Sequence, residues 1–309
     1  MKITRRVKKI LSGYESDNPG TKANLARILM HGRLGGTGRL VILPVDQGFE
    51  HGPARSFAPN PPAYSPLYHW QLAIDAGLSA FAAPLGLIEN GASSFAGAVP
   101  TILKVNSANS LFGDNDAPTQ AITAGVEDAL RLGCCAIGYT IYPGSENAYE
   151  MIEDLRELTL EAKSVGLAVV VWSYPRGAYV SKEGETALDI VAYAAHMAAL
   201  AGAHIIKVKL PSGKLELEAA RKVYDDYQIP LNSQTERIAH IVQSVFEGRR
   251  IVVFSGGGKK GIESLYDDAR CIRDGGGNGS IIGRNTFQRP KADAMTMLNK
   301  LINIYKDKE

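Results

Sequence analysis

The sequence predicts an α/β fold, a TIM (β/α)8 barrel with an N-terminal helical extension, and three observations carry that prediction. From residue 39 onward, short β-branched runs alternate with longer stretches of helical period. Each run ends in a polar or glycine-rich loop, and the runs number eight, which over residues 39–309 fits the roughly 250 residues of such a barrel. No Pro/Gly/Ser-rich linker or shift in composition divides the chain, which disfavours the alternative of an open doubly wound sheet split between two domains.

Residues 1–38 are expected to form the extension. Their start, MKITRRVKKILSGY, carries Lys2, Arg5, Arg6, Lys8 and Lys9 with no apolar segment behind them. It therefore reads as an amphipathic surface helix that covers the barrel bottom or a neighbouring subunit, and as neither a signal peptide nor an anchor. The barrel domain, 39–309, opens with RLVILPVD (39–46). Its further strands are SAFAAPL (79–85), TILKVN (101–106), CCAIGYTIY (134–142), LAVVVWSY (167–174), HIIKVKL (204–210), RIVVFSG (250–256) and GSIIGRN (279–285). Helices are expected at 64–76, 86–96, 118–132, 145–165, 184–201, 215–246 with a break at Pro230, 259–274 and 290–306.

Composition narrows the function classes. The chain has 309 residues, 45% apolar and 21% charged, ample for a core. A net charge of +2 gives no reason to expect nucleic acid or an anionic membrane as partner. No run of 18 apolar residues occurs, so no membrane span is expected. Cys134, Cys135 and Cys271 are too few and too unevenly spaced for a disulfide framework or a zinc cluster, and they read as core residues of a protein in a reducing cytoplasm.

In a barrel, catalytic groups sit at the C-terminal ends of strands and in the loops that follow. The sixth strand carries Lys207 in AGAHIIKVKLPSG, a lysine inside an otherwise apolar run. A buried lysine is either paired with an acid or has its pKa lowered until the neutral amine, a nucleophile toward carbonyls, is populated. The bland alternative is a lysine at a strand end that reaches into solvent. Lys209, two residues on, shares its strand face. The first strand delivers Asp46 in VDQGFEHGP, followed by Glu50 and His51, and the fifth ends in Trp172, Ser173 and Tyr174, then Arg176. Alternation puts Trp172 and Tyr174 on one face. Amine, phenol and carboxylate then meet at one mouth, a set suited to carbonyl chemistry with Lys207 as nucleophile, Tyr174 as acid/base and Asp46 as a second polar or acid/base group. Singly, each has a structural reading, an aromatic as core and an acid as a helix cap.

The seventh and eighth strands end in FSGGGKKG (254–261) and IIGRNTFQR (281–289), where glycines expose backbone amides and Lys259, Lys260 and Arg284 add positive charge. These are the loops that build a barrel's phosphate site. Gly256, Gly258 and Gly261 also satisfy G-x-G-x-x-G, with Asp274 as a possible ribose acid. That dinucleotide reading loses ground because the unit is the seventh of eight, whereas the fingerprint opens a βαβαβ half. A metal-based reading needs converging ligands, and the six histidines are scattered. His51 and His69 can both approach the mouth, while His196, His204 and His240 read as structural.

VDQGFEHGP, VVWSYPRG, GAHIIKVK, VFSGGGKKG and IIGRNTFQR, in register at five strand ends, resemble the class I fructose-1,6-bisphosphate aldolases of the archaeal and bacterial type, and the resemblance covers nearly the whole barrel. It implies a Schiff-base enzyme that needs no metal or other cofactor, with Lys207 as imine former, Tyr174 as proton donor and acceptor, and Asp46, Gln47 and Trp172 lining the substrate site. It implies phosphate contacts from Ser255, Gly256, Gly257, Gly283 and Arg284, and a homo-oligomer of glycolysis and gluconeogenesis. His51 is expected to bind substrate or order the first loop. Lys209 is expected to tune Lys207 or to replace it as the imine former. Related barrels with the same lysine act as aldolase-like transferases or thiolases on other phosphorylated ketoses, and these are the alternative within the class.

Overall fold

The computed structural model describes residues 2–111, 117–256 and 261–308. Eight parallel strands close into a barrel in chain order: β1 (Leu40–Pro44), β2 (Ala80–Pro84), β3 (Thr101–Lys104), β4 (Ala136–Ile141), β5 (Ala168–Ser173), β6 (Ile205–Val208), β7 (Ile251–Ser255) and β8 (Gly279–Ile281), with β8 pairing back to β1. All eight expected strands are present, each trimmed by one to a few residues at its ends.

The strand period of two divides the core into an inner and an outer layer. Val41, Leu43, Phe81, Val169, Val171, Ile206 and Phe254 face outward and pack under the helices. Their neighbours Leu40, Ile42, Ala80, Ile102, Ala136, Val170, Ile205, Val253 and Ile281 face inward. Further along their strands, Ala82 on β2 and Gly138 on β4 are small. The inner layer therefore has room, toward the strands' C-terminal ends, for long side chains.

The extension closes the other end. Helix α1 (Arg5–Leu11) is capped by Thr4 Oγ1, which accepts from Val7 N at 3.3 Å, and α2 (Pro19–Met30) by Asn18 Oδ1, which accepts from Thr21 N at 2.9 Å, with Pro19 at the first position. Val7, Tyr14, Leu25, Ile28 and Leu29 join the inner core. The Tyr14 hydroxyl donates to the His204 carbonyl at 2.5 Å and accepts from Ile251 N at 3.1 Å, which ties the extension to the starts of β6 and β7.

Two local expectations need correction. Within 118–132 only Val126–Arg131 is helical, because Ala121–Ile122 pairs with Asn106–Ser107 as a two-stranded ribbon over the mouth and Gly125 is extended where the helix begins. The stretch after β1, expected as a loop, folds into two short helices, Gln47–His51 and Pro53–Phe57, hinged at Gly52, whose φ of +77° suits glycine.

Candidate active site

Lys207 is in phase with inward-facing Ile205, so β6 aims it into the barrel. The residue is 4% exposed, and its Nζ lies 5.5 Å from the Trp172 ring centroid and 5.3 Å from that of Tyr174. Trp172 on β5 is the register partner of Lys207, so neighbouring strands deliver the pair together. Burial lowers the Lys207 pKa to about 8; Asp46 and Glu50 oppose that shift, while Arg176 and Arg284 add to it. Among the described residues no carboxylate lies within ion-pair distance of this amine. The solvent-facing alternative for Lys207 is thereby excluded.

Tyr174 follows β5 directly. Desolvation, then the Asp46 carboxylate, pushes its phenol well above the ordinary range, so it carries its proton at neutral pH. Asp46 ends the loop from β1, and Glu50, one turn further in the Gln47–His51 helix, accepts from Arg176 Nη1 at 3.0 Å. Burial works against the Arg176 cation, but Tyr142 and Glu50 raise its pKa above the usual arginine value. The guanidinium lies 5.4 Å and 5.6 Å from the ring centroids of Tyr142 and Tyr174. The Glu50–Arg176 pair thus clamps the loop after β1 to the loop after β5. His51 Nε2 is 3.8 Å from Glu50 Oε2, and burial lowers its pKa against the pull of that carboxylate.

Among the described residues, three buried polar atoms at this mouth have no hydrogen-bond partner: Trp172 Nε1, Gln47 Oε1 and Gln120 Oε1. Buried polar atoms are otherwise almost always satisfied, so unfilled donors and acceptors collected at one site mark where a polar substrate would complete them. Gly138 on β4 makes room for the indole, since a Cβ there would stand 2.4 Å from Trp172 Cζ3 and 2.6 Å from Cη2. Gly138→Ala is expected to displace the ring and lower kcat/KM by about 10²-fold, because misplacement of a site by about 1 Å costs that much. Steady-state kinetics on a variant whose thermal unfolding stays cooperative checks this.

On the far side, Ser255 ends β7, and Asn285 Nδ2 donates to the Gly256 carbonyl at 3.3 Å, which joins the β7 and β8 loops. At Gly283 a Cβ would meet the Pro44 carbonyl oxygen at 2.7 Å and Gln47 Nε2 at 2.9 Å, so only glycine fits. Arg284 is exposed beside it. Gly257, Gly258, Lys259 and Lys260 lie outside the described residues. The dinucleotide reading fails: the sheet is a closed barrel, and Asp274 ends the Ile262–Asp274 helix, roughly 20 Å along its axis from Gly261, where Arg273 holds it.

Lys209 must be reassigned. Strand β6 ends at Val208, so the period-two argument stops one residue too early to place Lys209 with Lys207. Its Nζ is paired with Glu185, which opposes the lowering of its pKa by burial. Arg176 and Arg284 are the leading cations that lower the Lys207 pKa, while Lys209 is held by Glu185.

His69 Nε2 bonds the Ala63 carbonyl at 2.7 Å within a buried ring cluster with Phe57, Tyr68 and Phe287. His196, His204 and His240 are held by Ser244, by Asp17 with Val169, and by Tyr224. Among the described residues no three His, Cys, Asp or Glu side chains converge as a metal site would require.

Sequence reasoning passed over Lys104, Tyr142 and the Glu50–Arg176 clamp. Lys104 had the same signal as Lys207, a lysine inside an apolar strand run, TILKVN. The clamp joins residues 126 positions apart and left no local trace.

Known proteins resemble this chain over most of its length. The DeoC/LacD family aldolase profile matches residues 40–289. The chain is 35% identical over 304 residues to the probable fructose-bisphosphate aldolase class 1 of Chlamydia muridarum, covering 95% of this chain and 87% of the relative. It is 36% identical over 256 residues to the fructose-bisphosphate aldolase class 1 of Thermoproteus tenax, covering 82% and 86%. A solved archaeal fructose-1,6-bisphosphate aldolase, whose catalytic lysine is bound to the carbinolamine intermediate of its substrate, superposes with a TM-score of 0.75 at 31% identity, covering 91% of this chain and 98% of that one. With a closed parallel barrel, a buried inward lysine and these matches together, the chain belongs to the DeoC/LacD family of aldolases.

Proposed function

We propose that this protein is a class I fructose-1,6-bisphosphate aldolase that reversibly forms dihydroxyacetone phosphate and glyceraldehyde 3-phosphate. The observation that carries the reading is Lys207, a desolvated amine lowered to about 8 and held between Trp172 and Tyr174 at a barrel mouth. The neutral amine adds to the C2 carbonyl, and the Tyr174 phenol donates the proton that lets water leave and the iminium form. The iminium then takes the electron pair of the C3–C4 bond. Ser255, Gly256, Gly257, Gly283 and Arg284 are the groups that would hold the phosphate next to C2, with Gln47 and Trp172 supplying their unpaired polar atoms to the sugar. The reading needs no metal or cofactor, because the iminium is the electron sink.

Borohydride trapping tests it. Treatment with fructose 1,6-bisphosphate and borohydride is expected to leave a covalent adduct on Lys207, with activity that survives EDTA; an EDTA-sensitive enzyme without an adduct would sink the reading. The neutral amine is the reacting form, so the trapping rate should rise about tenfold per pH unit below about 8 and level off above it.

The reaction would serve glycolysis in the cleavage direction and gluconeogenesis in reverse, in the cytoplasm. Among the described residues no helix is long and apolar enough to cross a membrane. A homo-oligomer would cover exposed Tyr149, Leu160, Tyr193 and Leu200 on two successive outer helices.

A further inference from the structure

A second lysine lies inside the barrel. Lys104, in phase with Ile102 on β3, is 3% exposed, and its Nζ is 5.8 Å from the centroid of the same Trp172 ring that Lys207 faces. Its register partner on β4 is Gly138, whose missing side chain lets the indole reach both amines. Lys104 Nζ donates to the backbone and side-chain oxygens of Asn106, the latter at 2.7 Å. Asn106 is itself fixed, accepting from Thr140 N at 2.8 Å and donating to the Thr140 carbonyl at 2.9 Å. An ammonium has three N–H groups, and Asn106 uses two. The third has no partner among the described residues.

Taking a cation out of water costs several kcal/mol unless something answers it. Among the described residues no carboxylate pairs with Lys104 directly; burial lowers its pKa to about 8 against the pull of Asp46 and then Glu50, so at neutral pH the ammonium still predominates. The amine lines one cleft with Asp46, Glu50, Tyr142 and Tyr174. The order of the strands gives this cleft a direction. A phosphate at the β7 and β8 loops and C2 on β6 leave the rest of a ketose to run toward β5, β4 and β3, where Lys104 waits.

We propose that Lys104 is a further catalytic residue, a fixed donor whose remaining N–H binds the oxygen on C4 of the substrate and stabilises the charge that develops there as the C3–C4 bond breaks. The assignment rests on the aldol reading above. In the cleavage step the C4 hydroxyl proton passes to the Asp46 carboxylate, and the oxygen forms the carbonyl of the leaving aldehyde. The C3–C4 electron pair moves into the iminium on Lys207 to give the enamine. Lys104 gains and loses no bond. In reverse, the same N–H polarises the incoming aldehyde.

The test separates the half-reactions. Dihydroxyacetone phosphate alone forms the imine and enamine without any C4 oxygen, read as borohydride trapping on Lys207 and as exchange of the C3 hydrogen with heavy water. Lys104→Met, close to it in volume, is expected to keep both within about threefold, whereas kcat for cleavage of fructose 1,6-bisphosphate falls about 10²- to 10³-fold, the effect of removing one oxyanion donor. Lys104→Gln, uncharged but still a donor, should show the same split with a smaller loss, and serves if the methionine variant does not fold. Cleavage at the wild-type rate overturns the assignment. So does a parallel fall of trapping, exchange and cleavage, which would make Lys104 a support of Lys207 or of the fold. If the wild-type protein is not trapped at all, the aldol reading fails and this assignment with it.

Discussion

Lys207→Met is expected to abolish imine trapping and to lower kcat for cleavage by at least about 10⁴-fold, because loss of the nucleophile removes the covalent path and leaves only binding and electrostatics. The same variant should be more stable than the parent. In the folded protein the amine drops from 10.5 to about 8, which corresponds to about 3 kcal/mol of penalty for its charged form. The sign follows from proton binding. Between about pH 8 and 10.5 the unfolded chain holds the proton that the folded chain has given up, so wild-type stability rises with pH across that window. Below about 8 the whole penalty is present. Chemical denaturation should therefore find Lys207→Met more stable by up to about 3 kcal/mol at pH 7, with the gap closing as pH approaches 10.5. An inactive variant no more stable than wild type at pH 7 would show that the lysine is better solvated than its burial indicates.

Tyr174→Phe is expected to lower kcat by about 10²- to 10⁴-fold with little change in KM, the loss typical of a removed general acid/base. The ring stays, so the aromatic contacts to Lys207 and Arg176, at 5.3 and 5.6 Å, survive, and only the hydroxyl is lost. Formation of the imine from dihydroxyacetone phosphate should slow as well, because the carbinolamine loses its proton donor. Single-turnover trapping measures this. A variant with normal trapping and a normal cleavage rate would take the imine-forming acid role away from Tyr174.

Particular residues show why parts of the site were legible. The inward direction of Lys207, Trp172 and Ile205 follows from strand parity, which any β-branched run displays locally. Lys104 obeys the same parity and could have been flagged by the same rule. Lys209 was misplaced because parity holds only while the strand lasts, and β6 stops at Val208, where the ammonium swings to Glu185. The ribbon that pairs Ala121–Ile122 with Asn106–Ser107 replaced an expected helix, since its partner strand lies 14 or more residues away and leaves no periodic mark nearby.

By itself the sequence determined the eight strands, their order and the glycine-rich ends of β7 and β8. Those features depend on residue spacing within one element. The tertiary structure alone decided which charges share the barrel's interior: that Arg176 locks to Glu50, that Trp172 serves two lysines and that Lys104 faces the same cleft as Asp46. Closure and strand stagger set those meetings, and both belong to the sheet as a whole.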